Sequence, residues 1–353
     1  WVDRQSDRIV VGAKRLATVK DDEDRHNYAY VFYGDTFFDT SKDPKWSGMG
    51  HEMIAFTHYY IVENGESFYL HAGESVSIED IEVPHIRHNF RETSDDKSDW
   101  DNLMNAISDG ISYGEMTKVV ASREVQFTSD TPYNVASILA NLVENNPNCF
   151  IFGYEKDGRT FVGASPEILV RHRGNEILSY ALAGTALKDG PHAWTKEQLL
   201  TDEKNLFEHN IVRDRIVHTM NEVTQDISVG KTEIMELAHL YHLRTIITAK
   251  DSTKSLIEWA KLLHPTPALG GEPRVKALAL LQQYEAHERG MYAAPFGFMK
   301  DMGDGIVVVA IRSALIMDNV LYAYAGCGVV ADSDADEEYA ETNNKMRTIL
   351  DAL

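Results

Sequence analysis

The stretch from Ala325 to Lys345 reads AGCGVVADSDADEEYAETNNK, with six acids in the ten residues Asp332 to Glu341. On a helix advancing about 100° per residue, Glu338, Glu341 and Lys345 share one stripe. That stripe borders the apolar face formed by Tyr339, Met346, Ile349, Leu350 and Leu353, while Asp336 and Glu337 point elsewhere. Two acids three apart at such an edge repel one another unless a cation lies between them. Two readings stay open: an ordinary helix start with an i,i+4 Glu–Lys pair, or carboxylates that hold a cation over a bound anion. A further acid, Glu208, lies in TDEKNLFEHNIVRD beside the apolar stripe Val212, Ile216, Met220 and Val223. It reads either as a core-edge residue or as a ligand. Two helices each offering an edge carboxylate suit Mg²⁺, which takes one or two carboxylates, waters and an anionic ligand. No Cys/His cluster points to zinc.

Lys118 opens the apolar strand KVVASR, where it is either a solvated edge residue or a buried amine. Arg312 interrupts VVVAIRSALIM, where both faces look buried, and a buried guanidinium demands an anion. A structural ion pair and an anion ligand both answer that demand. In VGASPEILV, Pro166 stiffens a connection between two strands and Glu167 begins the second. ALAGT (Ala181–Thr185) and AGCG (Ala325–Gly328) end strands with glycines, which lets backbone N–H groups approach an anion. HPTPALGGEP, His264 to Pro273, is a stiff loop feeding a helix with Pro273 at its first turn.

The elements that must position these groups are short strands and separate helices. The first ninety or so residues offer strands at Tyr28–Tyr33, Met53–Val62 and Ser67–His71, with Asn64-Gly65 as a hairpin turn. The polar stretch from Glu92 to Asp101 leads into a helix over Trp100–Tyr113. Strands are expected over Lys118–Phe127, Cys149–Tyr154, Thr160–Ala164, Ile168–His172, Ile177–Leu182 and Leu243–Thr248. Helices are expected over Val135–Asn145, Lys196–Val223, Leu256–Leu263 and Arg274–Arg289. Four strands, Phe296–Lys300, Ile306–Ile311, Ala314–Met317 and Val320–Ala325, are joined too tightly for parallel crossovers. Ser333 or Asp334 caps the final helix. Blocks of adjacent strands with separate helices argue α+β rather than a βαβ series.

Bulk properties narrow the function. The 353 residues are 43% hydrophobic and 25% charged, an ordinary globular balance. Net charge is −21, which repels phosphate backbones and makes nucleic acid an unsuitable partner. A small anionic substrate would need local cations to overcome the same field. Cys149 and Cys327, far apart, make no disulfide framework and suit a reducing compartment. The longest apolar run, Ile306 to Met317, is too short to span a bilayer, and no signal peptide is visible. A cytoplasmic location is the expectation. The chain starts at Trp1, so residues upstream could be missing.

Together, KVVASR, GASPE, ALAGT, DEKNLFEHNIV, HPTPALGG, the Arg312 strand and AGCGVV…EYAETNNK resemble the chorismate-utilising enzymes, over roughly Trp100 to Leu353. The resemblance implies a single large α+β domain, two packed and mostly antiparallel sheets with helices outside. Residues 1–95 form its strand-rich N-terminal part and 96–353 its chorismate-binding catalytic region. Lys118 together with the small Ala183 is the pattern of the water-using members, and HPTPALGG looks like the isochorismate synthases. The resemblance implies Mg²⁺ held by Glu208, Glu338 and Glu341. It assigns carboxylate binding to Arg312, Lys345 and the Gly326, Cys327 and Gly328 backbone. Gly184, Thr185 and His242 would line the site. Lys118 would take a proton from water attacking C2, and Glu167 would protonate the hydroxyl leaving C4. Menaquinone synthesis is the favoured pathway and a siderophore pathway the alternative. A salicylate synthase or a non-catalytic chorismate-binding protein are the rival readings, and no obligate protein partner is expected. This chemistry requires a partly neutral Lys118, against a reference pKa of about 10.4, and a protonated Glu167, against about 4.3.

Overall fold

The computed structural model describes residues 1–79, 82–94, 97–300 and 303–353. Its strands form two walls. One wall runs from Leu240–Lys250 through Glu176–Leu187, Ile168–Arg173, Gly305–Val309, Pro295–Lys300 and Tyr30–Gly34 to Glu52–Glu63. The other runs from Lys118–Ser129 through Val320–Val329, Ser313–Met317, Arg159–Ser165 and Phe150–Lys156 to the short Val2–Asp3. Every one of these pairings is antiparallel, and the strand Arg8–Thr18 pairs with both Val2–Asp3 and Glu52–Glu63. These walls are the two packed, mostly antiparallel sheets expected from sequence, and at that edge they join into one hydrogen-bonded ladder of 19 strands among the described residues. The fold is α+β, as expected.

Aromatic side chains fill the space between the walls. Phe152 meets Phe296 at 4.9 Å between centroids, and Trp1 meets Phe150 and Phe298 at 5.6 and 5.5 Å. Such offset and edge contacts add to the burial of each ring. Outside the second wall, helix Lys97–Ser112 and helix Arg274–Tyr284 bury Trp100, Leu103, Ile107, Ala277 and Leu281 against Val119, Ala121, Cys327 and Val329. These strand residues alternate with Lys118, Val120 and Ser122, which therefore face inward. No helix among the described residues is long and apolar enough to cross a membrane.

Several sequence expectations need correction. The helix drawn over Lys196–Val223 is two helices, Lys196–Thr201 and Glu203–Asn221. Asp202 between them takes extended dihedrals and accepts from the Asn205 N–H, so the chain restarts there with a fresh cap. The helix drawn to Arg289 stops at Tyr284. Strand Arg8–Thr18 was not anticipated; its burial pattern is mostly exposed, so it carries little apolar alternation. Arg312 lies outside any strand, at φ +52 between Gly305–Val309 and Ser313–Met317. The N-terminal strand Tyr30–Gly34 pairs directly with Pro295–Lys300. The boundary placed between residues 95 and 96 lies outside the described residues.

Candidate active site

Two corners define the site. At residues 165–168 and again at 309–313 the chain leaves one wall and enters the other. The corners are laced together: the Ala164 N–H donates to the Arg312 carbonyl at 3.0 Å and the Val309 N–H to the Glu167 carbonyl at 3.1 Å. This brings Glu167 and Arg312, 145 positions apart by number, to one inter-wall cleft. Gly184, Thr185, Glu208, His242, Gly326, Cys327, Gly328 and Lys345 line the same cleft.

Glu167 is 2% exposed and its Oε1 has no hydrogen-bond partner among the described residues. Burial pushes its carboxyl up to about 8, opposed by Lys118 first and then by Arg312 and Lys345. Lys118 is 0% exposed and sits just behind the cleft wall, its Nζ 2.8 Å from Glu208 Oε1. Gly328 makes room for that pair, since a Cβ there would stand 2.1 Å from Glu208 Oε1 and 2.8 Å from Lys118 Cε.

His242 links the opposite wall to Arg312. Arg312 Nη2 lies 2.8 Å from His242 Nε2, and a guanidinium can only donate. The ring proton therefore sits on Nδ1, facing the Thr185 hydroxyl at 3.1 Å and the Gly184 carbonyl at 3.3 Å. Burial, then Arg312 and Lys345, hold this imidazole well below its ordinary pKa, so it stays neutral and accepts. Arg312 Nη1 has no partner among the described residues. A buried donor of this kind needs an acceptor, and the cleft is where an anion would supply it. Gly184 sits at φ +81 in a bulge between Ala183 and Thr185, and a Cβ there would meet the Asn205 carbonyl at 3.1 Å. The Thr185 N–H then donates to Asn205 Oδ1 at 2.9 Å, stitching the bulge to the start of helix Glu203–Asn221.

The acidic segment becomes helix Ala335–Leu350, capped by Asp334. Ser333 instead donates to Glu338 Oε1 at 2.7 Å. Glu338 is buried, while Asp336 and Glu337 are exposed. The three expected metal ligands each face a lysine: Glu208 faces Lys118 at 2.8 Å, Glu338 faces Lys204 at 3.3 Å and Glu341 faces Lys345 at 2.5 Å. Lys345 also donates to the Gly326 carbonyl at 2.8 Å. Among the described residues no three carboxylates, imidazoles or thiols stand together as a ready metal site. Carboxylates at a dry edge take whatever partners lie near, and here these are the lysine Nζ groups. The donor set nonetheless fits a hard cation. Burial and the neighbouring Glu341 push the Glu338 carboxyl up to about 7, with Glu208 adding to the rise. A divalent ion held by Glu208, Glu338 and Glu341 would relieve this mutual repulsion.

Sequence reading missed three residues of this site. Lys204 is one helical turn before Glu208, a spacing that could have shown it. Tyr292 and Arg289 line the cleft from HERGMYAAPFG, which has no periodicity to single them out.

A folded-over antiparallel ladder with helices outside, and a cation-lined cleft at its two corners, defines an enzyme-like anion site. The family model described as chorismate binding enzyme matches residues 74–353, and the chain belongs to that family. It is 35% identical to isochorismate synthase MenF of Bacillus subtilis over 73% of this chain and 56% of that protein, so it spans little more than half of that relative's length. DhbC of Bacillus anthracis, described as a candidate 2,3-dihydroxybenzoate-specific isochorismate synthase, superposes with a TM-score of 0.84 at 25% identity, covering 98% of this chain and 94% of that one. The menaquinone-specific isochorismate synthase MenF of Escherichia coli superposes with a TM-score of 0.83 at 25% identity, covering 99% and 87%.

Proposed function

We propose that this protein is an isochorismate synthase, interconverting chorismate and isochorismate. The observation that carries the reading is Glu167: a fully buried carboxyl, protonated at neutral pH, on the cleft that Lys118 influences most strongly among the cations. Arg312 Nη1 and Lys345 would take the substrate's carboxylates, with the Gly326–Gly328 backbone beside them. His242 holds the guanidinium in place through Nε2. Lys118, in its amine form, accepts a proton from water as the oxygen bonds to C2. Glu167 gives its proton to the hydroxyl leaving C4, and the ring double bonds shift between the two carbons. Each such group contributes roughly 10²- to 10⁴-fold. Glu338, Glu341 and Glu208 would hold Mg²⁺, which when bound neutralises substrate carboxylate charge. We read the pathway as menaquinone supply, supported by the likeness to the menaquinone-specific Escherichia coli MenF, with siderophore supply the alternative supported by the comparable likeness to DhbC.

The deciding assay is purified protein with chorismate and Mg²⁺. Isochorismate without pyruvate is expected, and stoichiometric pyruvate would make the protein a salicylate synthase instead. Lys118→Met, close in length, should lower turnover at least about 10²-fold while chorismate still binds. Unchanged turnover in that variant would remove Lys118 from the reaction.

A further inference from the structure

We infer that the buried pair Glu285–Arg289 is a positioning device that locks the cleft wall carrying Lys118. The pair lies just past the end of helix Arg274–Tyr284, where neither residue belongs to the acid–base or metal set. Arg289 is 1% exposed, and its Nη2 and Nε reach the Glu285 carboxylate at 2.5 and 2.8 Å. The fork still has donors left. Nη1 donates to the Leu269 carbonyl and Nη2 to the Val120 carbonyl, both at 2.7 Å. Glu285 in turn accepts from the Ser122 N–H at 3.0 Å and its hydroxyl at 2.8 Å. The guanidinium also lies 4.2 Å from the centroid of Phe37.

One ion pair thus ties three segments: its own loop, the Pro/Gly loop holding Leu269 and the strand Lys118–Ser129. A planar five-donor fork can meet two carbonyls and a carboxylate at once, whereas an ammonium cannot hold that arrangement. Val120 is two residues beyond Lys118, and its N–H donates to the Gly270 carbonyl at 2.9 Å. Loosening Arg289 would therefore let the loop and the start of the strand move together. Val120, Leu269 and Arg289 all line the cleft, so such movement would displace Lys118 relative to Glu167. A misplacement of about 1 Å can cost roughly 10²-fold in rate. The catalytic consequence rests on the proposed function; the mechanical one does not.

Arg289→Lys keeps the charge and removes the fork. In this variant kcat should fall at least about tenfold with KM within about threefold, and thermal unfolding should stay cooperative. Amide hydrogen exchange should quicken at Val120 and Gly270 while the distant pairing of Glu176–Leu187 with Leu240–Lys250 keeps its protection. Turnover within about twofold of the parent, or a loss matching the unfolded fraction, would overturn the inference. If the parent makes no isochorismate, the functional reading fails and the exchange result alone decides: unchanged protection at Val120 and Gly270 sinks the positioning role. If Arg289→Lys does not fold, Glu285→Gln, which keeps an acceptor for Ser122, is read by the same two measurements.

Discussion

In the proposed reaction, Glu167 carries the chemistry at the scale of a single residue. Its carboxyl is neutral in the folded chain up to about pH 8, because no hydrogen bond to Oε1 compensates the loss of water. A general acid must hold its proton, so the activity limb assigned to Glu167 should fall as pH rises through about 8. The pH profile of kcat/KM checks this, and Glu167→Gln should lose turnover at every pH. Stability gives a second reading with a definite sign. The raised pKa means that unfolding releases a proton between the ordinary carboxylate pKa and about 8, so stability declines as pH climbs through that window. Glu167→Gln removes that term. Its melting temperature should exceed the parent's above pH 8, with the gap closing towards pH 4. GASPE could be read as a turn-edge carboxylate of no consequence. Only its contact with the second corner shows that the position is dry.

Elements bring the partners together. The strand Val320–Val329 carries Gly328 against Val120, and helix Glu203–Asn221 presents Glu208 into the space a side chain would take. Gly328→Ala should displace the Lys118–Glu208 pair and lower turnover at least about tenfold, with the fold kept. Steady-state kinetics beside a circular dichroism melt would test it; normal kcat would mean the pair has slack. The stripe of Glu338, Glu341 and Lys345 was legible because helical period alone places those residues, and the helix is present with Glu338 buried. The lysine facing Glu338 comes from a different helix, Glu203–Asn221, so the final helix's own period cannot show it. The Ala183–Thr185 bulge was hidden too, because a glycine ends many strands and only the partner strand reveals the extra residue.

At the scale of the whole molecule, a net charge of −21 surrounds a cleft lined by Arg312 and Lys345. The distant acids repel an arriving anion over long range, whereas the buried cations act at contact. Raising ionic strength from about 10 to about 100 mM shrinks the screening length from about 30 to about 10 Å. It should therefore raise kcat/KM for chorismate over that range, and a monotonic fall would show that the local cations dominate even at distance. Composition, hairpin turns and strand blocks already determined an α+β antiparallel chain, because alternation and turn chemistry are local properties. The individual candidates Lys118, Glu167, Arg312 and the acidic stripe were also visible as residues out of keeping with their neighbours. What tertiary structure alone decided is their meeting. The ladder folds over at one edge, two corners cross between its walls, and charges far apart along the chain face one another where water is excluded. No local pattern encodes that, because it depends on which strands pair across hundreds of residues.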